Sequence, residues 1–282
     1  MDSTVAVVGP KIGLALGGGA GLGWSHIGVL RFLQAREIPV HMVSGTSIGA
    51  IVGACVAANR LDHLEALARS IRLKNMLSFS DPSFKRGSVL GARKIDKIFK
   101  EHFGDLNIED LAIPYAAIAS DLYTGQRVVL DKGSLVTAVK ASSAVPGMLP
   151  SVLWGDKLLA DGGMTDPIPT KAAWDLGADV VIAVDLQGDY AGRAKRMGLE
   201  QGLKLKRGSS AKIARSSLFM TLTNLGQQVM KHHPANVVIT PLAGHIEMMD
   251  FTKAYELIDI GYAAAENVYP QIVEAIDGYV KT

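Results

Sequence analysis

Ser47 stands at the centre of Gly45-Thr46-Ser47-Ile48-Gly49, a spacing that suits a nucleophile. A serine on a sharp strand-to-helix turn takes a strained backbone conformation, which drives the residues two before and two after it together. Glycine at both positions removes the side chains that would collide. The helix that follows aims its N-terminus at the serine, where developing negative charge is favoured. The structural alternative is a tight turn in which Ser47 merely caps that helix. A hydroxyl nucleophile also needs a base. Asp161, in Leu158-Leu159-Ala160-Asp161-Gly162-Gly163, ends an apolar run, and two glycines turn the chain without covering its carboxylate. A desolvated carboxylate held beside a hydroxyl can act as general base without a histidine. Asp161 as a turn-former is the alternative, and Asp166 is the rival carboxylate.

A third constellation lies earlier, in Gly17-Gly18-Gly19-Ala20-Gly21-Leu22-Gly23. Small consecutive residues ahead of a helix expose backbone N–H groups, which stabilise an anion. The anion could be a cofactor pyrophosphate or the oxyanion of acyl transfer. The dinucleotide fingerprint fits poorly, because Ala20 occupies its middle glycine and no acid ends the next strand. The oxyanion reading fits better, since a serine nucleophile would follow on the adjacent strand. No late histidine completes a triad: His232, His233 and His245 fall in no obvious strand-end loop, and His26 reads as a packed histidine.

These residues need strands and helices to place them. Apolar, β-branched runs predict strands over 11–16, 39–44, 114–120, 126–130, 152–160, 179–186 and 236–240. Helical patterns cover 24–36, 48–59, 62–71, 132–142, 171–176 and 251–269, with loop chemistry over 79–86. Alternation of the two types predicts an α/β layered domain with a mostly parallel sheet. Neither an internal repeat nor a Pro/Ser-rich linker divides the 282 residues, so a single domain is expected over 1–282.

Composition excludes several classes. Hydrophobic residues make up 48%, which argues against disorder, and 29 Lys+Arg against 27 Asp+Glu is too balanced for whole-chain nucleic-acid binding. The single cysteine, Cys55, cannot form an internal disulfide and reads as a core residue. No run of 18 apolar residues suggests a spanning helix, and the first 11 residues lack a signal-peptide layout. A cytoplasmic protein is the expectation, with loose contact to the inner membrane surface left open. Residues 188–215 differ from the rest: eight are basic (Arg193, Lys195, Arg196, Lys204, Lys206, Arg207, Lys212 and Arg215) and two are acidic. This stretch reads either as a solvated mobile insertion or as a lid that adheres to anionic headgroups. Phe219, Leu222, Leu225 and Val229 then form a helical stripe, read as core or as a membrane-facing flap.

Taken in order, the three constellations resemble the patatin-like phospholipase family, and its bacterial branch most of all. The likeness extends to Trp24-Ser25-His26-Ile27-Gly28, Ala119-Ser120-Asp121-Leu122, Ala141-Ser142-Ser143-Ala144-Val145-Pro146 and Gly177-Ala178-Asp179, over roughly 11–186, with a weaker echo at 258–265. The resemblance implies a three-layer α/β/α fold and a serine-dependent lipid acyl hydrolase of the phospholipase or lysophospholipase type. It makes Ser47 the nucleophile, Asp161 the base, and the N–H groups around Gly18, Gly19 and Ala20 the oxyanion hole. A lipid or lysophospholipid would be the substrate, and neither metal nor cofactor is called for. The family usually carries Arg or Lys where this chain has Leu22. Backbone donors survive that change, whereas side-chain help with a phosphate headgroup does not. Two other readings use the same residues: an acyltransferase on a related fold, and a silent, membrane-associated regulator that retains the scaffold. The acyl length, the positional preference and the oligomeric state are not encoded in these motifs.

Overall fold

A computed structural model describes residues 9–71, 92–198 and 210–279. Its strands are β1 (Ile12–Leu16), β2 (Met42–Thr46), β3 (Tyr115–Asp121), β4 (Arg127–Leu130), β5 (Val152–Trp154), β6 (Lys157–Asp161), β7 (Val180–Val184) and β8 (Val237–Ile239). The helices are α1 (Trp24–Ala35), α2 (Ile48–Ala57), α3 (Leu61–Ser70), α4 (Ala92–Phe103), α5 (Leu135–Ser142), α6 (Thr170–Asp175), α7 (Tyr190–Arg196), α8 (Ser210–His232), α9 (Ala254–Asn267) and α10 (Tyr269–Asp277).

The strands form one sheet in the order β5-β6-β3-β2-β1-β7-β8, with β4 also paired to β3. Parallel pairing runs through β3, β2, β1, β7 and β8, and the antiparallel pairs lie at the β3–β6 end. Every residue of β1, β2 and β7 is buried, as strands covered on both faces require. Side-chain alternation explains the layers. Ile12, Leu14, Leu16, Ile182 and Val184 share a core with α1, α2, α3, α9 and α10. On the opposite face Ala15, Val181 and Ala183 pack with Ile168 and Ala173, and Met230 of α8 closes over them. The result is the expected three-layer α/β/α arrangement around a mixed, mostly parallel sheet. Against α1, α9 packs at backbone distance: a Cβ on Gly28 would lie 1.9 Å from the Ile258 carbonyl oxygen, and one on Gly261 would lie 1.9 Å from that of Ser25.

Several expectations change in detail. The run 152–160 is a hairpin rather than one strand, because Gly155 and Asp156 form a two-residue turn between β5 and β6. Gly155 has φ +60°, the positive value that such a turn needs at its first position. Strand β2 starts three residues and ends two residues later than expected, and so reaches Thr46, beside the serine. The helix expected over 251–269 is α9, and a further helix that the sequence reading did not include, α10, follows with Pro270 in its first turn, where a missing N–H costs nothing. The sequence reading did not include α4, and its loop over 79–86 lies outside the described residues. Among the described residues, no helix is long and apolar enough to cross a membrane.

Candidate active site

Sheet register alone brings Ser47 and Asp161 together. Strand β3 pairs with β2 over 115–118, with β4 over 117–120 and with β6 over 119–121. A strand has only two edges, and β4 overlaps both of the others in register, so β2 and β6 must share the remaining edge. There Thr46 lies opposite Ile118 and Asp161 lies opposite Ala119. The C-terminal ends of β2 and β6 therefore meet head-on. The residue that follows Thr46 faces the residue that ends β6.

At that junction Ser47 Oγ donates a 2.6 Å hydrogen bond to Asp161 Oδ2. Ser47 has φ 57° and ψ −122°, a strained conformation for a residue with a side chain. Its hydroxyl does not cap α2. The glycines act as their spacing suggested: a Cβ on Gly45 would lie 2.4 Å from the Gly49 carbonyl oxygen, and one on Gly49 would lie 2.1 Å from that of Leu16. Asp161 Oδ1 accepts from the Gly163 N–H at 2.8 Å, so the turn-forming reading of Asp161 also describes real geometry. One oxygen serves the turn and the other serves Ser47. Burial pushes the Asp161 carboxyl up to about 6, although its bonds from Ser47 and Gly163 pull the other way. A carboxylate so placed is a base poised close to neutral pH.

Residues that the sequence did not single out hold this pair. The Ser47 N–H donates to Ser142 Oγ at 2.9 Å, and the Asp161 N–H donates to the Ala144 carbonyl at 3.0 Å. One short segment at the C-terminal end of α5 thus grips both members. Ser120 Oγ donates to the Asp161 carbonyl at 2.8 Å. Both segments belong to stretches quoted for the family likeness, which was the only signal available for them.

The glycine loop lies against Ser47, since a Cβ on Gly18 would sit 3.4 Å from Ser47 Cβ. Its N–H groups are not equivalent. Gly17 N–H donates to Val184 O and Gly18 N–H donates to Pro167 O, each at 3.0 Å, while Gly21 N–H donates to Met248 O at 2.7 Å. Gly18, expected to supply an oxyanion donor, is therefore corrected: its N–H is already committed to the fold. Those of Gly19 and Ala20 have no hydrogen-bond partner among the described residues. Leu22 is buried in the core.

The remaining candidates fall into place. His26 is fully buried, and burial lowers its pKa to about 4, so it is neutral and donates from Nε2 to Gly17 O at 2.8 Å. Asp166 pairs with Arg127 at 2.9 Å, and its backbone carbonyl accepts from Thr46 Oγ1. It supports the site without a hydrogen bond to Ser47. Asp121 accepts from the Tyr123 N–H and Thr124 Oγ1 in its own turn. Cys55 is buried, and its thiol is pushed up to about 12. Of the basic residues in 188–215, Arg193 is buried, Arg196 binds Glu247 and Gly244 O, and Lys195 is exposed.

The site is thus a buried serine–carboxylate pair at strand ends, beside a glycine loop on an α/β/α sheet. Residues 14–174 match the patatin-like phospholipase family, and the chain belongs to that family. It is 40% identical over 186 residues to an NTE family protein of Mycobacterium bovis, a match spanning 66% of this chain and 52% of that one. It is 34% identical over 188 residues to the neuropathy target esterase of Drosophila melanogaster, spanning 64% of this chain and 13% of that protein. The chain thus spans about half the length of the mycobacterial relative. The structure of VipD from Legionella pneumophila aligns with a TM-score of 0.59 at 13% identity, over 96% of this chain and 67% of VipD, which shows a shared fold.

Proposed function

We propose that this protein is a serine-dependent lipid acyl hydrolase of the phospholipase or lysophospholipase type, acting through a Ser47–Asp161 dyad. The observation that carries the reading is the 2.6 Å bond from Ser47 Oγ to a buried carboxylate whose pKa is raised to about 6. Asp161 takes the Ser47 proton as Oγ attacks the acyl carbonyl, and the N–H groups of Gly19 and Ala20 receive the oxyanion. The proton passes from Asp161 to the departing alcohol, leaving the acyl group esterified to Ser47. Water, deprotonated by Asp161, then cleaves that ester, releases the fatty acid and returns the proton to Ser47. Family membership supports a lipid ester as substrate. Contact with an anionic membrane through 188–215 belongs to the same proposal, with Lys195 facing outward and Arg193 and Arg196 engaged internally.

The test is hydrolysis of a chain-length series of chromogenic acyl esters by wild type, Ser47→Ala and Asp161→Asn, each checked by thermal melt. Both variants should lose at least ~10³-fold in kcat while remaining folded. An active Asp161→Asn beside a dead Ser47→Ala would transfer the base to another residue. A wild type that cleaves no ester, with or without vesicles, would overturn the proposal.

A further inference from the structure

Arg193 is an arginine with 2% of its surface exposed, taken from the stretch whose composition reads as a solvated basic face. Its guanidinium lies 5.0 Å from the centre of the Phe219 ring. Nη1 donates to Gln187 Oε1 at 2.7 Å, and Nη2 donates to Leu186 O at 3.3 Å. Gln187, just beyond the end of β7, is itself buried, and its Nε2 donates to Gly18 O at 3.2 Å. The order of these contacts is set by chemistry. A guanidinium has donors only, so Gln187 must turn its oxygen toward Arg193 and is left with its NH₂ for Gly18.

The consequence falls on the peptide between Gly18 and Gly19. In a planar trans peptide the C=O and the N–H point in opposite directions. Holding the Gly18 carbonyl toward Gln187 holds the Gly19 N–H away from it. The preceding peptide is fixed at both ends, by His26 Nε2 on Gly17 O and by Pro167 O on the Gly18 N–H. Glycine peptides flip easily because no Cβ resists them. Gln187 supplies the only side-chain hydrogen bond, among the described residues, to the Gly18 carbonyl.

We propose that Arg193 and Gln187 are positioning residues that fix the Gly18–Gly19 peptide with its N–H presented to the oxyanion. This rests on the hydrolase reading above. Neither side chain touches the reacting atoms. Arg193 dictates which way the Gln187 amide faces, and that amide dictates which way the peptide faces.

Gln187→Glu separates positioning from simple structural support. The carboxylate keeps an acceptor for Arg193, so the buried cation stays paired, but it has no donor for Gly18 O and repels it. We expect kcat for a short chromogenic ester to fall about 10²-fold, the effect of losing one oxyanion donor, with KM within about twofold. The melting temperature should hold. Affinity for a trifluoromethyl ketone, whose adduct carries the same oxyanion, should weaken in parallel with kcat. Gln187→Asn, whose amide stops one methylene short of Gly18 O, serves as a second variant and should lose at least tenfold in kcat. Wild-type kcat in both variants, or a fall in kcat with unchanged ketone affinity, would overturn the inference while leaving a Ser47-dependent hydrolase intact. A wild type without esterase activity would remove both.

Discussion

The role proposed for Asp161 combines two demands that conflict in a folded protein: it must be dry enough to hold a proton near neutral pH, and it must be ionised to accept one. Burial raises its carboxyl from 3.8 to about 6, with Ser47 and Gly163 as its hydrogen-bond donors. In the proposed mechanism it is the general base, which requires it to be ionised in the free enzyme. The kcat/KM for a neutral ester should therefore rise about tenfold per pH unit below 6 and level off above it, measured across pH 4.5 to 8. A profile flat through that range would separate Asp161 from the chemistry. The same shift has a cost in stability. Between about pH 4 and 6 the folded state binds more protons at this site than the unfolded chain, so stability falls as pH rises through that window. A rise of this size corresponds to about 3 kcal/mol of bias against the ionised form. Asp161→Asn removes the charge but keeps an acceptor for the Gly163 N–H and gains a donor for Ser47 Oγ. This variant should melt a few degrees above wild type at pH 7.5, and the gap should close toward pH 4. Because Asp166, also raised to about 6, is common to both proteins, it drops out of the difference.

The elements that carry the site are held by backbone contacts as much as by side-chain packing. Strand β1 ends where α2 begins: a Cβ on Gly49 would lie 2.1 Å from Leu16 O and 2.8 Å from Gly17 O, atoms that cannot move without breaking the sheet. At Gly53, one turn later, the nearest obstacle is Val43 Cγ1 at 2.8 Å, a side-chain methyl that can yield. Gly49→Ala should therefore cost at least ~3 kcal/mol in urea unfolding and Gly53→Ala roughly half of that or less, although Ala favours helix at both positions. Equal costs would mean that α2 slides as a body. This level of organisation was largely legible in the sequence. Buried strands announced themselves as β-branched runs, and the glycines around Ser47 implied the crowding that the backbone shows. What stayed hidden depends on contacts distant in sequence. Nothing in the pattern of 152–160 separated one long strand from a hairpin except Gly155. In α4, Ile95, Ile98, Phe99 and Phe103 do stand at helical spacing, a stripe legible in the sequence that the reading above passed over. Gln187 is a lone glutamine at a strand end. A run of basic residues cannot reveal that Arg193 turns inward while Lys195 faces solvent.

Across the whole molecule, the motifs and the parts that hold them in place do not coincide. The family match ends at residue 174 and the motif-bearing stretch ends near 186, yet the back of the glycine loop is built from residues beyond both. Met248 O receives the Gly21 N–H, Phe251 O receives Trp24 Nε1 at 3.0 Å, and Gln187 holds Gly18. Helix α1, which continues directly from the loop, is covered by α9 where Gly28 abuts Ile258 and Gly261 abuts Ser25, and the Phe32 ring lies edge-on to Tyr262 and Tyr269. Removing residues 187–282 would uncover the apolar face of α1, including Ile27 and Phe32, and release the loop at three points. Each buried side chain of that size contributes roughly 1.5–3 kcal/mol, so uncovering several of them takes away much of the 5–15 kcal/mol by which a domain is ordinarily stable. A chain ending at Leu186 contains Ser47, Asp161 and every glycine of the loop. It should nevertheless show no cooperative melt and no esterase activity, where the full chain is expected to show both. A soluble fragment with a sharp transition and Ser47-dependent turnover would instead mean that the loop holds its shape from within, and that the C-terminal third serves another purpose.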